Sequence, residues 1–190
     1  MGLLTGPVVA AGSMAALAQP RIVGDGVVLR PWREADLGVV LAGYGDPAIQ
    51  RWHVKSMDEG EARAWIAHWP GRWAAENGAG WAVTRDGGDA AGQISLSRLD
   101  LGQGVASVSY WTLPEARGAG LAHRALDALA GWVFGTLGLY RLQASHSTAN
   151  PPSCRVAEKA GLRGEGTKRG GGRHADGWHD MHVHGRLAID

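Results

Sequence analysis

Leu113-Pro-Glu-Ala-Arg117-Gly118-Ala119-Gly120-Leu121-Ala122 follows directly on the apolar run Val105–Trp111. A strand enters a glycine-rich turn, and an amphipathic helix leaves it with Leu121, Ala125, Leu126, Leu129, Trp132 and Val133 on one face. The first N–H groups of a helix have no partner in the helix, and the dipole there is positive, so such a turn suits a phosphate or pyrophosphate. Glycine lets the anion approach the main chain closely. A Walker loop needs Gly-Lys-Ser/Thr at the helix start, and Leu-Ala-His follows Gly120 instead. A dinucleotide fingerprint needs a third glycine where His123 stands and an acidic residue about 20 positions on, which is missing. What survives is R-x-x-G-x-A, Arg117–Ala122. An ordinary tight turn would read the same way, so support must come from elsewhere in the chain.

It comes from downstream. Tyr140–Ser147 reads as a strand, and Asn150-Pro-Pro-Ser153-Cys-Arg-Val-Ala-Glu-Lys-Ala-Gly161-Leu162 reads as a helix, with Asn150 as N-cap, Pro151 in the first turn and Gly161 as the stop. Glu165-Gly-Thr-Lys-Arg169 and the closing Trp178-His-Asp-Met-His-Val-His184 follow. The order P-E-A-R-G-x-G, N-x-x-S-x-x-V-x-E-K-x-G, E-G-x-x-R, W-H-D resembles the GNAT acetyltransferase superfamily, in its ribosomal-protein-alanine acetyltransferase branch, from about Val27 to the C-terminus.

The resemblance implies an α/β fold: a central mixed, mostly antiparallel seven-stranded sheet, flanked by about four helices and splayed between strands 4 and 5. The rest of the chain fills this frame. Val27–Trp32 reads as a first strand, followed by helices over 34–43 and 58–76. Strands follow near 80–85, 91–100 and 105–113, with turn signals at Asp86-Gly-Gly and Gly102-Gln-Gly. Gln50-Arg51-Trp52-His53 reads as a loop.

The family also implies roles. Acetyl-CoA, or another acyl-CoA, is the co-substrate, and no metal is needed. Trp111, Thr112 and Leu113 offer main-chain groups to the thioester and pantetheine, and Arg117, Gly118, Ala119, Gly120, Leu121 and Ala122 hold the pyrophosphate. Asn150 contacts the pantetheine arm, and Ser153 serves the departing sulfur. Both have a plain alternative, as helix cap and first-turn residue. Trp52 and His53 fall where the first helices flank the acceptor cleft.

Acyl transfer needs a neutral amine, a donor for the developing oxyanion and a protonated leaving thiol. Relatives carry a Glu before Gly-Tyr-Trp or in the segment between the last two strands; here those stretches are Ser107-Val-Ser109-Tyr-Trp and Gly170-Gly-Gly-Arg173-His174. With no carboxylate at either place, His146, His174 and Asp176 are the candidate bases. An α-amine costs only about 1 kcal/mol to deprotonate at pH 7, a lysine side chain about 4.6. The missing carboxylate therefore favours a low-pKa amine as acceptor. Three readings follow: an N-acyltransferase acting on a peptide N-terminus or small molecule, an antibiotic-amine acetyltransferase, and an acyl-CoA-binding protein without turnover.

Bulk properties fit one domain. The chain has 190 residues and net charge +1, too weak a field to imply nucleic-acid or anionic-membrane partners. A single cysteine, Cys154, forbids an intrachain disulfide and fits a cytoplasmic setting; it reads as a small core filler. Met1–Pro20 is apolar but broken by Pro and Gly, with no Lys or Arg before it. It reads as a disordered leader, with Met14 an alternative start and residues 21–190 as the domain. The assembly expected is a monomer or homodimer. Trp65, Trp69 and Trp73 recur every four residues, a core stripe on one helix. His182 and His184 share a strand face, as a metal pair could, although the family implies none.

Overall fold

Leu121, Leu126 and Leu129 are fully buried, and helix α5 (Leu121–Trp132) lays that face across a sheet. The computed structural model describes residues 5–190. The strands are β1 (Ile22–Gly24), β2 (Val27–Pro31), β3 (Ala79–Thr84), β4 (Ala90–Asp100), β5 (Val105–Thr112), β6 (Arg141–Ser147), β7 (Arg163–His174) and β8 (Gly177–Leu187). They form one sheet in the order β1-β2-β3-β4-β5-β6-β8-β7. Every neighbouring pair is antiparallel except β5–β6. The expected mixed sheet is therefore present with eight strands rather than seven, because Ile22–Gly24 adds a short edge strand. The fourth and fifth strands of the sequence reading are β5 and β6.

Helices cover both faces. Leu121, Leu126 and Leu129 join Leu29, Ile94, Leu96 and Leu142 in the larger core. On the other face, Trp32, Trp65, Trp69 and Trp111 pack with Val40, Tyr44 and Ile49. That second layer comes from α1 (Leu37–Gly45), α2 (Pro47–His53), α3 (Glu59–Ala67) and α4 (Trp69–Ala74); α6 (Pro151–Lys159) completes the six α-helices among the described residues. In the strand that begins the L-R-P-W run, buried Arg30 makes two 2.7 Å hydrogen bonds to Asp36 and reaches the Gly88 carbonyl. Removing one partner of such a pair would leave a buried charge, at a cost of about 3–5 kcal/mol.

Three local expectations change. The helix expected over 58–76 is two helices meeting at His68, because Pro70 lacks the N–H that would continue the first one. The tryptophan stripe is core packing, but split: Trp65 meets Trp69 edge-on at 5.3 Å, whereas Trp73 faces Trp81 at 6.2 Å in the other core. The segment read as a loop, Gln50–His53, is the end of α2; Asp46 caps this helix by accepting from the Ile49 N–H at 2.9 Å, and Pro47 opens it.

Of the leader, residues 1–4 lie outside the described residues. Residues 5–20 touch the rest of the chain at a few specific points. Val9 and Met14 are buried in the larger core, and the Glu76 carboxylate accepts from the N–H groups of Gly12, Met14 and Ala15 at 2.6, 2.7 and 3.0 Å. Trp73 and Trp81 donate their indole N–H groups to the carbonyls of Leu17 and Pro20.

Candidate active site

The single parallel pair creates the opening. β5 and β6 are in register from Val105↔Arg141 to Val108↔Ala144 and then part. Beyond that point β5 stays with β4 as far as Thr112↔Gly92, while β6 stays with β8 as far as Ser147↔Met181. The facing edges from Ser109 and Ser145 onward therefore have no strand partner in each other, which is the splay that the family resemblance implies. A strand edge left open in this way offers main-chain donors and acceptors to an extended ligand.

Above the gap, Arg117 is extended and Gly118 and Gly120 take φ values of +79° and +74°. Gly120 is the N-cap of α5 and carries no side chain to cap the first turn. The first N–H to bond back belongs to Arg124, which donates to the Gly120 carbonyl at 3.3 Å. The turn thus presents uncapped amides at the positive end of a three-turn helix. Arg117 pins the loop from its side: it donates to the Thr112 carbonyl at 3.3 Å and to Asp46 at 2.9 Å. Burial alone would raise the Asp46 carboxyl, but the Arg117 guanidinium and the Ile49 and Ala48 N–H groups hold it below the usual carboxylate range. One carboxylate therefore ties the glycine loop to α2.

Loop and gap open into one cleft of about 510 Å³. Trp111, Thr112, Arg117, Gly118, Gly120, Leu121, Ala122, Asn150 and Ser153 all line it, as do Trp52 and His53. Leu113 and Ala119 do not. Leu113 is buried in the second core and donates its N–H to the Ala91 carbonyl, and the Ala119 carbonyl accepts from Arg124. Asn150 caps α6 by accepting from the Ser153 N–H at 3.3 Å. Ser153 Oγ lies 3.0 Å from the Tyr110 hydroxyl, which burial pushes up to about 12, so the phenol keeps its proton across the neutral range.

A second lobe of about 120 Å³ shares Trp52, His53, Tyr110, Asn150 and Ser153 with the first and extends to His146, His174 and Met181. A carbonyl can only accept, so each of these rings carries its proton on the nitrogen facing one. His53 Nε2 donates to Tyr110 at 3.2 Å, His174 Nδ1 to Arg51 at 3.1 Å and His146 Nδ1 to Ser147 at 2.9 Å. A ring bonded in this way has its second nitrogen facing away from the carbonyl. Burial pushes both His53 and His146 below the usual histidine value, so they stay neutral near pH 7. Trp52 lies edge-on to His174 at 5.8 Å, with the Arg51 guanidinium 4.7 Å over its ring. Asp176, the third candidate base, is at the surface with Arg51 at 3.7 Å and His179 Nε2 at 2.9 Å. His179 continues through Nδ1 to the buried Ser147 hydroxyl at 2.7 Å.

Three of these participants escaped the sequence reading. Tyr110 stood in the quoted Ser-Tyr-Trp stretch without a role, because only the strand gap turns its hydroxyl toward α6. Asp46 is visible in retrospect as the Asp-Pro start of a helix. The His179–Asp176 pairing needs the β7–β8 turn and has no local signal. Cys154 is half-buried rather than a core filler, and burial together with the Glu158 carboxylate pushes its thiol up, opposite to what a nucleophile needs.

Comparison with known proteins accounts for this geometry. Residues 27–163 match the family model described as an acetyltransferase (GNAT) domain. Over 115 residues the chain is 32% identical to the Bacillus subtilis protein named "Putative ribosomal N-acetyltransferase YdaF"; the match spans 58% of this chain and 62% of that one. Among solved structures, a GNAT-family acetyltransferase from Bacillus anthracis superposes with a TM-score of 0.80 at 22% identity, over 90% of this chain and all of the other. RimL, named a ribosomal L7/L12 alpha-N-protein acetyltransferase and solved with coenzyme A, gives 0.80 at 17% identity over 88% of this chain and 98% of its own. At such identities the likeness of the two structures is one of fold. With the family model covering most of the chain and the strand gap and glycine turn in their expected places, the chain belongs to the GNAT acetyltransferase family.

Proposed function

We propose that the chain transfers an acetyl group from acetyl-CoA directly to an α-amine of a peptide or protein N-terminus. The observation that carries this reading is the continuity of one cleft from the uncapped start of α5, through the β5–β6 gap, to a lobe lined by the imidazoles of His53, His146 and His174. The pyrophosphate would take the N–H groups of Gly118 and of Gly120–Ala122 with Arg117 beside it, and the pantetheine arm would run along the open edge of β5 past Asn150. The coenzyme A in the RimL structure and the ribosomal and α-N-protein wording of the relatives' names support the donor and acceptor classes.

In the reaction, the amine lone pair attacks the thioester carbonyl; a C–N bond forms and the C–S bond breaks. His174, whose Nδ1 is committed to Arg51, takes the ammonium proton on Nε2. The departing thiolate takes its proton from the Tyr110–Ser153 hydroxyl pair, which recovers one from solvent as His174 releases the ammonium proton there, so the turnover consumes no net proton. Trp52 and His53 border the acceptor lobe, where Trp52 offers an apolar wall to the first side chain of the peptide. An N-terminal amine suits a site with imidazole rather than carboxylate as base, because it needs so little help to lose its proton.

Among the described residues no helix is long and apolar enough to cross a membrane. The test is thiol release from acetyl-CoA across α-amino peptides, lysine analogues and antibiotic amines, with coenzyme A affinity measured calorimetrically beside it. Turnover on α-amino peptides is expected. Tight binding with turnover only on lysine analogues or antibiotic amines would overturn the acceptor assignment, and binding with no turnover on any amine would overturn the transferase reading.

A further inference from the structure

His182 and His184 lie two apart on β8, and the β6–β8 register sets His146 directly across from His182. The three imidazoles therefore share one face of the sheet, beneath the first turns of α6, where Cys154 reaches them. One ligand atom from each of His146, Cys154, His182 and His184 lies within 4.8 Å of all the others. The Cys154 sulfur is 3.6 Å from His184 Nε2 and 4.0 Å from His182 Nδ1. A tetrahedral zinc ion with ordinary Zn–N and Zn–S bonds needs ligand–ligand edges of about 3.3–3.7 Å, so the cluster lies about 1 Å from closure.

The hydrogen bonding around the rings points the same way. His146 donates Nδ1–H to the Ser147 carbonyl, and its Nε2 is buried with no partner. His184 is 2% exposed and its Nδ1 faces the Leu162 carbonyl at 3.4 Å, which turns the Nε2 lone pair toward the cysteine. An Nδ1–H held by a main-chain carbonyl is the outer-sphere arrangement of metal-bound histidine. The protons inside the cluster do not balance the lone pairs. His146 Nε2 is left without a donor, and the thiol hydrogen faces both His184 Nε2 and the Glu158 carboxylate. A cation meets the whole set at once.

We propose that His146, Cys154, His182 and His184 form a structural zinc site that clamps the first turns of α6 onto β6 and β8. Four protein ligands leave no open position, so the ion holds structure and does not activate water. Zinc replaces the thiol hydrogen, releasing one proton to solvent as the S–Zn bond forms, and the nearby Glu158 carboxylate, 3.7 Å from the sulfur, offsets the added charge. The clamp sits next to Ser153 and Asn150, so it fixes the helix that borders the cleft. It does not depend on the acceptor or donor assigned above.

The experiment uses the full chain, stripped with a chelator and titrated with cobalt(II) and then zinc(II). One cobalt per chain should bind with the intense visible bands of tetrahedral geometry and a thiolate-to-cobalt charge-transfer band, and zinc should displace it with release of one proton. Cys154→Ser should abolish the charge-transfer band and weaken binding by at least about a hundredfold, beyond what loss of an outer-sphere partner costs. His182→Gln, at a half-buried position, gives a second reading of affinity should the cysteine variant fold poorly. Absence of saturable binding overturns the site. So does a six-coordinate cobalt spectrum, or an affinity unchanged in both variants.

Discussion

The Tyr110 hydroxyl stands 3.0 Å from Ser153 Oγ and 3.1 Å from the Ser153 carbonyl, bridging β5 to α6 beside the gap where β5 and β6 part. Burial pushes the phenol up to about 12, so it donates rather than ionises. In the proposed reaction this pair delivers the proton to the leaving sulfur. Tyr110→Phe keeps the ring and its packing and removes only the donor, so kcat should fall about a hundredfold, the lower range for a lost general acid. The Kd for coenzyme A, measured by calorimetry, should change by less than about threefold. Ser153→Ala should cost less than Tyr110→Phe, because the phenol remains to act alone.

Gly118 and Gly120 separate two requirements that the sequence merges. Both sit at positive φ, where a side chain costs about 1–2 kcal/mol. A Cβ on Gly118 would meet nothing within 4 Å, whereas one on Gly120 would lie 2.7 Å from the His123 ring. Gly120→Ala should therefore pull the loop out of shape and weaken coenzyme A binding by tenfold or more. Gly118→Ala should cost only a few-fold. Equal losses at the two positions would mean that backbone strain alone sets the effect.

The sheet, the glycine turn and the α6 cap were legible because each rests on short-range chemistry: apolar periodicity, a left-handed glycine, an Asn-Pro helix start. The eighth strand was not, since three residues carry too little pattern to separate Ile22–Gly24 from a loop. The break at His68 was signalled by Pro70 and overridden by the tryptophan spacing. Packing of residues 5–20 depends on Glu76, which lies more than 60 residues further along the chain, and no local feature announces it. The Tyr110–Ser153 pair and the histidine–cysteine cluster are likewise products of register between distant strands.

Glu76 makes the N-terminal segment acid-sensitive. The Gly12 and Ala15 N–H groups, followed by that of Met14, hold its carboxyl below the usual carboxylate range against a smaller opposing effect of burial. With the folded value depressed, the unfolded chain binds more protons, so this contribution is present above the unfolded value of about 4.3 and is lost as pH falls through the folded one. Glu76→Gln should lower stability at pH 7 by about 1–2 kcal/mol, as expected for exposed charge-assisted hydrogen bonds. The difference from wild type should shrink toward pH 3. Urea unfolding at the two pH values checks this, and a constant difference would remove Glu76 from the role.

Arg117 and Asp46 join the glycine loop to α2 through a 2.9 Å ion pair that is partly open to solvent. An exposed pair of this kind contributes at most about 1 kcal/mol to stability, so Asp46→Asn should barely move the melting temperature. Its effect belongs to binding. Asn can still cap α2 through its side-chain oxygen, but it no longer holds the guanidinium by charge, and Arg117 becomes free to turn fully toward the pyrophosphate or away from it. Arg117→Ala removes the cation altogether and should weaken coenzyme A binding about tenfold, with a smaller loss for phosphate-free fragments such as pantetheine that never reach the loop. Asp46→Asn should then discriminate between two uses of the arginine. Tighter binding would mean that Asp46 competes with the ligand for Arg117; weaker binding would mean that the ion pair pre-organises it. Because Asp46 both caps α2 and holds the loop, pre-organisation is the expected outcome, with a several-fold loss in affinity and little change in kcat.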